Sequence, residues 1–222
     1  MELLSLENGI EACAIRAKKI LEEGGVVLYP TDTLYGLGAD AFFDKAVDTI
    51  YEIKGRDETK PIHCIVADLA MAEKYAVVTA DAKLLFQRLL PGGLTVILKK
   101  SARGQSAFGG QRSSNCGIGR GMDTIGIRIP KNDFCVDLAQ AFGKPYTATS
   151  ANLAGEQHLR SVDAILEQLG NLARKIDLVV DAGELPPSAP STVVDLSGEE
   201  PVILREGAVS VADIWNTIRI SE

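Results

Sequence analysis

Val26-Val27-Leu28-Tyr29-Pro30-Thr31-Asp32-Thr33-Leu34-Tyr35-Gly36-Leu37-Gly38 is the stretch on which the fold turns. Residues 26–29 are an apolar run ended by Pro30, which predicts a buried strand. The segment 31–38 that follows carries small hydroxyl residues and glycines, which let backbone N–H groups approach an anionic ligand. A tight strand-to-helix connection with capping hydroxyls fits the same position. Gly36-x-Gly38-x-x-Ala41 formally matches the dinucleotide fingerprint, but five residues separate it from Pro30 and no acid ends a second strand at the right place. A Rossmann site is therefore set aside.

Upstream, Ile10, Cys13, Ala14, Ala17, Ile20 and Leu21 recur at helical spacing until Gly24-Gly25 stops them. Downstream, Asp44 is placed to cap a helix carrying Val47, Ile50 and Tyr51 on one face and ending near Gly55. Strands are expected at 62–66, 94–98, 125–129, 145–149, 178–181, 192–196 and 202–204. Helices are expected after a cap at Asp68, at 81–90, at 133–142, from about Ser161, and at 211–218. Helices and strands alternate, though not strictly, so the pattern predicts a single α/β domain over 1–222 with a mixed sheet. Residues 100–124, rich in Gly, Ser and Arg, follow neither period and read as one long flexible loop within it.

The chain of 222 residues is large enough for one full core, and its 24% charged and 46% apolar residues are ordinary for a globular protein. A net charge of −7 argues against a protein built to grip a polynucleotide tightly. Cys13, Cys64, Cys116 and Cys135 show no C-x-x-C spacing and read as free thiols. The N-terminal stretch lacks a signal-peptide pattern, and no apolar run is long enough to span a bilayer, so a cytoplasmic location is expected and no membrane partner.

Several further segments carry candidate chemistry. Lys54-Gly55-Arg56 and Lys60 place three cations at a helix C-terminus and in the loop beyond it. Such charges complement the helix dipole, yet the glycine lets the Lys54 and Arg56 side chains diverge, which suits a polyphosphate. Ser150-Ala151-Asn152 offers hydrogen bonds to phosphate or ribose, or forms a plain turn. Arg205, between an apolar strand and Gly207, is a ligand contact or a surface ion pair. No G-x-x-x-x-G-K-[ST] loop, no G-x-S-x-G elbow and no Cys/His spacing for zinc is present, so no metal-ligating residue is assigned. His63 and His158, the only histidines, read as packing or surface residues.

In order along the chain stand Pro30-Thr31-Asp32-Thr33-Leu34-Tyr35-Gly36-Leu37-Gly38, Ile53-Lys54-Gly55-Arg56 with Lys60-Pro61, and Pro91-Gly92-Gly93-Leu94-Thr95. Ile127-Arg128-Ile129-Pro130, Ser150-Ala151-Asn152, Ser191-Thr192-Val193-Val194-Asp195 and Ile203-Leu204-Arg205-Glu206-Gly207 follow. This series resembles the YrdC/TsaC (YrdC/YciO-like) family in its short form. The resemblance implies a twisted mixed sheet with flanking helices around a large basic cavity. It also implies condensation of L-threonine, bicarbonate and ATP, with Mg²⁺, into threonylcarbamoyl-adenylate and pyrophosphate. Separate threonylcarbamoyl-transferase proteins then carry the group to tRNA.

Carried over by motif, Lys54, Arg56, Ser150 and Asn152 correspond to the family's catalytic Lys-Arg-Ser-Asn signature. Arg56, Lys60, Asn152 and Arg205 would contact ATP, and Thr33, Arg128, Ser150 and Ser191 would hold threonine. Where the family commonly has a His, this chain has Ile65, with His63 two residues earlier on the same strand face. Residues 186–190 also replace the family's usual Gly/Glu-containing lead-in. Two other readings stay open: a YciO-like relative acting on another adenylate or carbamoyl substrate, and a non-catalytic module binding nucleotide or RNA.

Overall fold

The structure, a computed structural model, describes residues 1–57, 60–108, 117–119 and 121–218. Its N-terminal part comprises β1 (Glu2–Ser5), α1 (Ile10–Glu22), β2 (Val27–Tyr29), β3 (Gly36–Gly38), α2 (Asp44–Lys54) and β4 (His63–Ile65). The middle holds α3 (Leu69–Tyr75), α4 (Ala80–Arg88), β5 (Leu94–Lys99), α5 (Ala102–Ala107), β6 (Thr124–Arg128) and α6 (Asp133–Phe142). The remainder is β7 (Tyr146–Ser150), α7 (Val162–Leu169), β8 (Leu178–Asp181), β9 (Thr192–Asp195), β10 (Val202–Arg205) and α8 (Val211–Ile218).

The strands form one ten-stranded sheet in the order β1-β8-β2-β3-β7-β4-β6-β5-β9-β10. Parallel pairs (β1/β8, β8/β2, β4/β6, β5/β9) mix with antiparallel ones, as the imperfect alternation of elements predicts. α1 buries Cys13, Ala14, Ala17, Ile20 and Leu21 and packs on α6, which itself buries Phe134, Leu138 and Phe142. That pair sits behind β2, where the Cys135 thiol donates to the Pro30 carbonyl and the Tyr146 hydroxyl to the Cys135 carbonyl. Cys13, Cys64 and Cys135 are free and buried, while Cys116 lies outside the described residues. Among the described residues no helix is long and apolar enough to cross a membrane.

Several expectations need correction. β1 was not anticipated: four edge residues, three half-buried and Leu3 exposed, give no readable alternation. Asp44 is not the cap of α2 but its first residue, because an Asp40 turn, with Asp40 Oδ1 accepting from Phe42 N, places Phe43 at the N-cap. The segment expected as a loop after β2 contains β3. Its glycines are explained by Tyr29: a Cβ at Gly36 would lie 2.8 Å from the Tyr29 ring, and one at Gly38 2.9 Å. Both make room for the Tyr29 ring, and Gly36 also lines a hollow over the middle of the sheet.

The expected flexible loop at 100–124 is partly regular. Ser101 caps α5 by accepting from Gly104 N, and it donates to the Lys74 carbonyl. Gly104 is required where α5 meets α3, since a Cβ there would lie 1.9 Å from the Tyr75 carbonyl oxygen. Residues 109–116 and 120 of that segment lie outside the described residues.

The Tyr29 ring is held by its hydroxyl donating to the Thr147 carbonyl at 3.0 Å and by an edge contact with Tyr146. Gly38→Ala is therefore expected to lower the unfolding free energy by about 1–3 kcal/mol through overpacking. Denaturant unfolding checks this, and the loss should shrink in a Tyr29→Leu background if the ring is the obstacle.

Candidate functional site

A hollow of about 140 Å³ opens over the middle of the sheet. Residues from β2, β3, β7, β4, β6, β5 and β10, with the segment leading to β9, contribute to its lining. Thr33, Arg56, Arg128, Ser150, Ser191 and Arg205 all line it. Six of the residues assigned by motif are thus brought together from positions far apart in sequence.

The loop after β2 is folded by Thr31, whose hydroxyl accepts from Thr33 N and Leu34 N and donates to the Leu34 carbonyl. This turn leaves Thr33 buried against the hollow. Between its two threonines, Asp32 reaches Arg128 at 2.6 Å, in a pair whose side chains are 15% and 10% exposed. Arg128 also donates from Nε to the Gly92 carbonyl, so its guanidinium is fixed and its charge matched.

On the opposite wall, a bulge in β10 between Ile203 and Arg205 aims Arg205 back across β9. Its Nε and Nη2 donate to the Ser191 carbonyl at 3.1 and 2.8 Å. The Ser191 hydroxyl is also within 2.9 Å of Thr95 Oγ1. Burial, then Arg128 and Arg56, pulls the Arg205 pKa below its ordinary value. The surface ion pair considered from sequence is not formed with any described carboxylate.

Gly55 ends α2 in the left-handed region at φ 55°, and this separates its two cationic neighbours as expected. Arg56 enters the hollow, donating from Nη2 to the Pro61 carbonyl; its buried Nε has no partner among the described residues. Lys54 turns the other way. At 3% exposure it does not line the hollow, and its Nζ donates to the Ser150 carbonyl, the Asn152 carbonyl and Asn152 Oδ1 at 2.5, 2.9 and 3.1 Å. Burial, and secondarily Arg56, draws its pKa down to about 8, which still leaves an ammonium at neutral pH.

Asn152 likewise stands behind the wall. Its Oδ1 accepts from Lys54 and from the Ser150 hydroxyl, and its Nδ2 donates to the Leu153 and Glu156 carbonyls. Every polar atom of that side chain is thereby engaged within the chain. Lys60 is exposed and also absent from the lining. Of the expected ATP contacts, Lys60 and Asn152 do not line the hollow, and Lys54 of the signature, with Asn152, holds Ser150 from behind the wall.

Both histidines, read from sequence as packing or surface residues, line the hollow instead. His63 shares its face with Ile65, as their spacing of two requires, and burial with Arg205, Arg56 and Arg128 lowers its pKa to about 4. His158 is exposed at the rim, its pKa lowered by burial and then by Lys54 and Arg205. Thr95 and Asp32 were also left unassigned, although both lie inside motifs that drew attention for other residues.

The fold and hollow define an α/β protein with a hydroxyl-lined, cation-rich cavity on a mixed sheet. A family model named Sua5/YciO/YrdC, described as telomere recombination, matches residues 19–207. The chain belongs to that family. A putative threonylcarbamoyl-AMP synthase of Methanocaldococcus jannaschii is 36% identical over 194 residues, covering 87% of this chain and 85% of that protein. The crystal structure of P. abyssi Sua5 complexed with L-threonine superposes with a TM-score of 0.82 at 32% identity, covering 94% of this chain. This chain spans 58% of that structure's length. E. coli YciO superposes with a TM-score of 0.78 at 29% identity, covering 95% and 96% of the two chains.

Two outcomes follow. Lys54→Met leaves three acceptors without their ammonium and is expected to cost about 2–4 kcal/mol of stability, read by denaturant unfolding. For His63, the unfolded chain takes up a proton near pH 6.5 and the folded chain only near about 4. Stability attributable to this residue is complete above pH 6.5 and is lost as pH falls toward 4. His63→Gln should flatten that part of the acid limb in unfolding curves taken across the window.

Proposed function

We propose that this chain condenses L-threonine, bicarbonate and ATP into threonylcarbamoyl-adenylate, releasing pyrophosphate, and that it does so in the cytoplasm. The observation that carries the reading is the pair Arg56 and Arg205 lining one hollow, neither forming an ion pair with a described carboxylate, beside the Thr33, Ser150 and Ser191 hydroxyls. Two guanidiniums without a carboxylate partner among the described residues suit an oligophosphate, and small hydroxyls suit the hydroxyl and carboxylate of a short amino acid. The Methanocaldococcus jannaschii relative named a putative threonylcarbamoyl-AMP synthase and the P. abyssi Sua5 complex with L-threonine point the same way.

In this reading the carbamate formed from threonine and bicarbonate attacks the α-phosphorus and pyrophosphate leaves. The carbamate is already anionic, so no protein base is needed at that step. Arg56 and Arg205 stabilise the charge that grows on phosphoryl oxygens. Among the described residues no three acidic, His or Cys side chains cluster. Mg²⁺ would arrive with ATP and supply charge neutralisation at its phosphates. The product then passes to threonylcarbamoyl-transferase proteins acting on tRNA.

Pyrophosphate release by the purified chain should require threonine and bicarbonate together, and Arg56→Ala should lower its rate about 10²-fold. Turnover of ATP indifferent to both co-substrates would reject the proposal. Stimulation by some other amino acid or acceptor would favour a YciO-like activity instead.

A further inference from the structure

Beside the hollow lies a second, smaller space of about 30 Å³, lined by Ile62, Ile97, Ile118 and Ile125 among others. Pro61, Ile62 and His63 belong to both linings, so the two spaces adjoin at these residues. β4 and β6 run parallel with Cys64 opposite Ile127, which sets His63 beside Gly126. A Cβ on Gly126 would lie 2.4 Å from His63 Cδ2, so a side chain there would displace the ring from the border the spaces share.

Size and polarity restrict the occupant. The space is roughly twice the ~10–15 Å³ that admits one water, and too small for an amino acid or a phosphate. Its backbone is largely committed. Ile97 pairs with Gly126 and Lys99 with Thr124 in the β5/β6 ladder, and Ile118 N donates to the Ala41 carbonyl. Among the described residues, only Thr124 and His63 bring polar side-chain atoms to it, the low end of what an ordered water needs. Arg56, Arg128 and Arg205 line the hollow and not this space. An anion placed here would give up its hydration with no cation in return. The fitting occupant is small, neutral and apolar.

We propose that this space is a subsite for CO₂, and that CO₂ rather than bicarbonate is the form in which the one-carbon substrate reacts. This rests on the proposed threonine-activating function and names the reagent it consumes. Bicarbonate is the reservoir: taking up a proton, it loses water to give CO₂. At the border of the hollow the unprotonated amine of threonine attacks the carbon. A C–N bond forms, one C=O π pair moves onto oxygen, and the proton lost from nitrogen leaves to water through the mouth of the hollow. The product is the carbamate anion, which the apolar space rejects and the guanidiniums of the hollow attract. Neutral reagent and anionic product thus each have a side of their own.

The test follows pyrophosphate release by the full chain with threonine and ATP, in the cold and at mildly alkaline pH, where CO₂ and bicarbonate interconvert slowly. Reactions begun with dissolved CO₂ should show a burst and those begun with bicarbonate a lag, and carbonic anhydrase should abolish both. Ile97 lines the small space and not the hollow. Ile97→Phe should raise the CO₂ concentration for half-maximal rate about tenfold, the cost of withdrawing two apolar atoms from burial, with the KM values for threonine and ATP unchanged. If that variant does not fold, xenon under pressure decides on wild type: it should compete with CO₂ and with neither threonine nor ATP. A burst from bicarbonate, an unchanged CO₂ requirement in Ile97→Phe, a parallel rise for threonine, or xenon without effect overturns the inference while leaving the proposed function standing. Wild type that releases no pyrophosphate from either carbon source overturns that function, and this subsite with it.

Discussion

A buried ammonium sets the cationic side of the cavity. Lys54 is the last residue of α2, and burial without acceptors would make its charge costly. The chain meets that demand by bending after β7 so that the Ser150 and Asn152 carbonyls and Asn152 Oδ1 all point at Nζ. The return bond from Ala154 N to the Lys54 carbonyl closes the loop on the helix end. With Lys54 directed inward, the left-handed Gly55 reverses the backbone and Arg56 emerges on the ligand side. The family's Lys-Arg-Ser-Asn set is thus one mechanical unit. Arg56 and Ser150 face the hollow, and Lys54 and Asn152 determine where those two can be.

The far wall is organised by oxygen rather than by an ammonium. Thr192 accepts from Gly207 N and Val209 N, which draws the segment after β10 against the start of β9. Arg205 is thereby near enough to Ser191 to bond its carbonyl twice. Gly207 is needed in that approach, since a Cβ there would lie 2.1 Å from the Pro190 carbonyl oxygen. Of the three guanidiniums, Arg128 alone has a carboxylate partner among the described residues, Asp32. The remaining two repel one another across the hollow, and a polyanion entering it would relieve that repulsion.

Long amphipathic helices and fully buried strands were legible: α6, α8 and β8 match their expected bounds residue for residue. β1 and β3 were not, because one is four edge residues and the other is two glycines flanking a leucine, and neither carries strand propensity. At the site, motif order identified which segments meet but not which way each side chain turns. Lys54 and Arg56 are two residues apart and look equivalent as charges; only the conformation of Gly55 and the buried acceptors distinguish them. His63 was noted for its offset from the family's histidine position, but its seat in the sheet was not readable. A histidine on a three-residue strand reads as packing until its partner across the sheet, Gly126, is known to be empty.

The contrast between the protein's overall charge and its cavity bears on what can enter. The chain carries −7 overall, yet Arg56, Arg128 and Arg205 lie on one hollow with His63 kept neutral among them. Charges on the outer surface are screened within about 8–10 Å at physiological salt, whereas cations in a concave, partly enclosed site act on a ligand at contact. A polynucleotide must lie along the surface and meets its net negative field at many phosphates. A mononucleotide needs to reach only the cavity. On the proposed function the acidic exterior and basic interior therefore work together: they favour a small free triphosphate over the same groups in a nucleic acid, and this suits an enzyme whose tRNA is modified by other proteins.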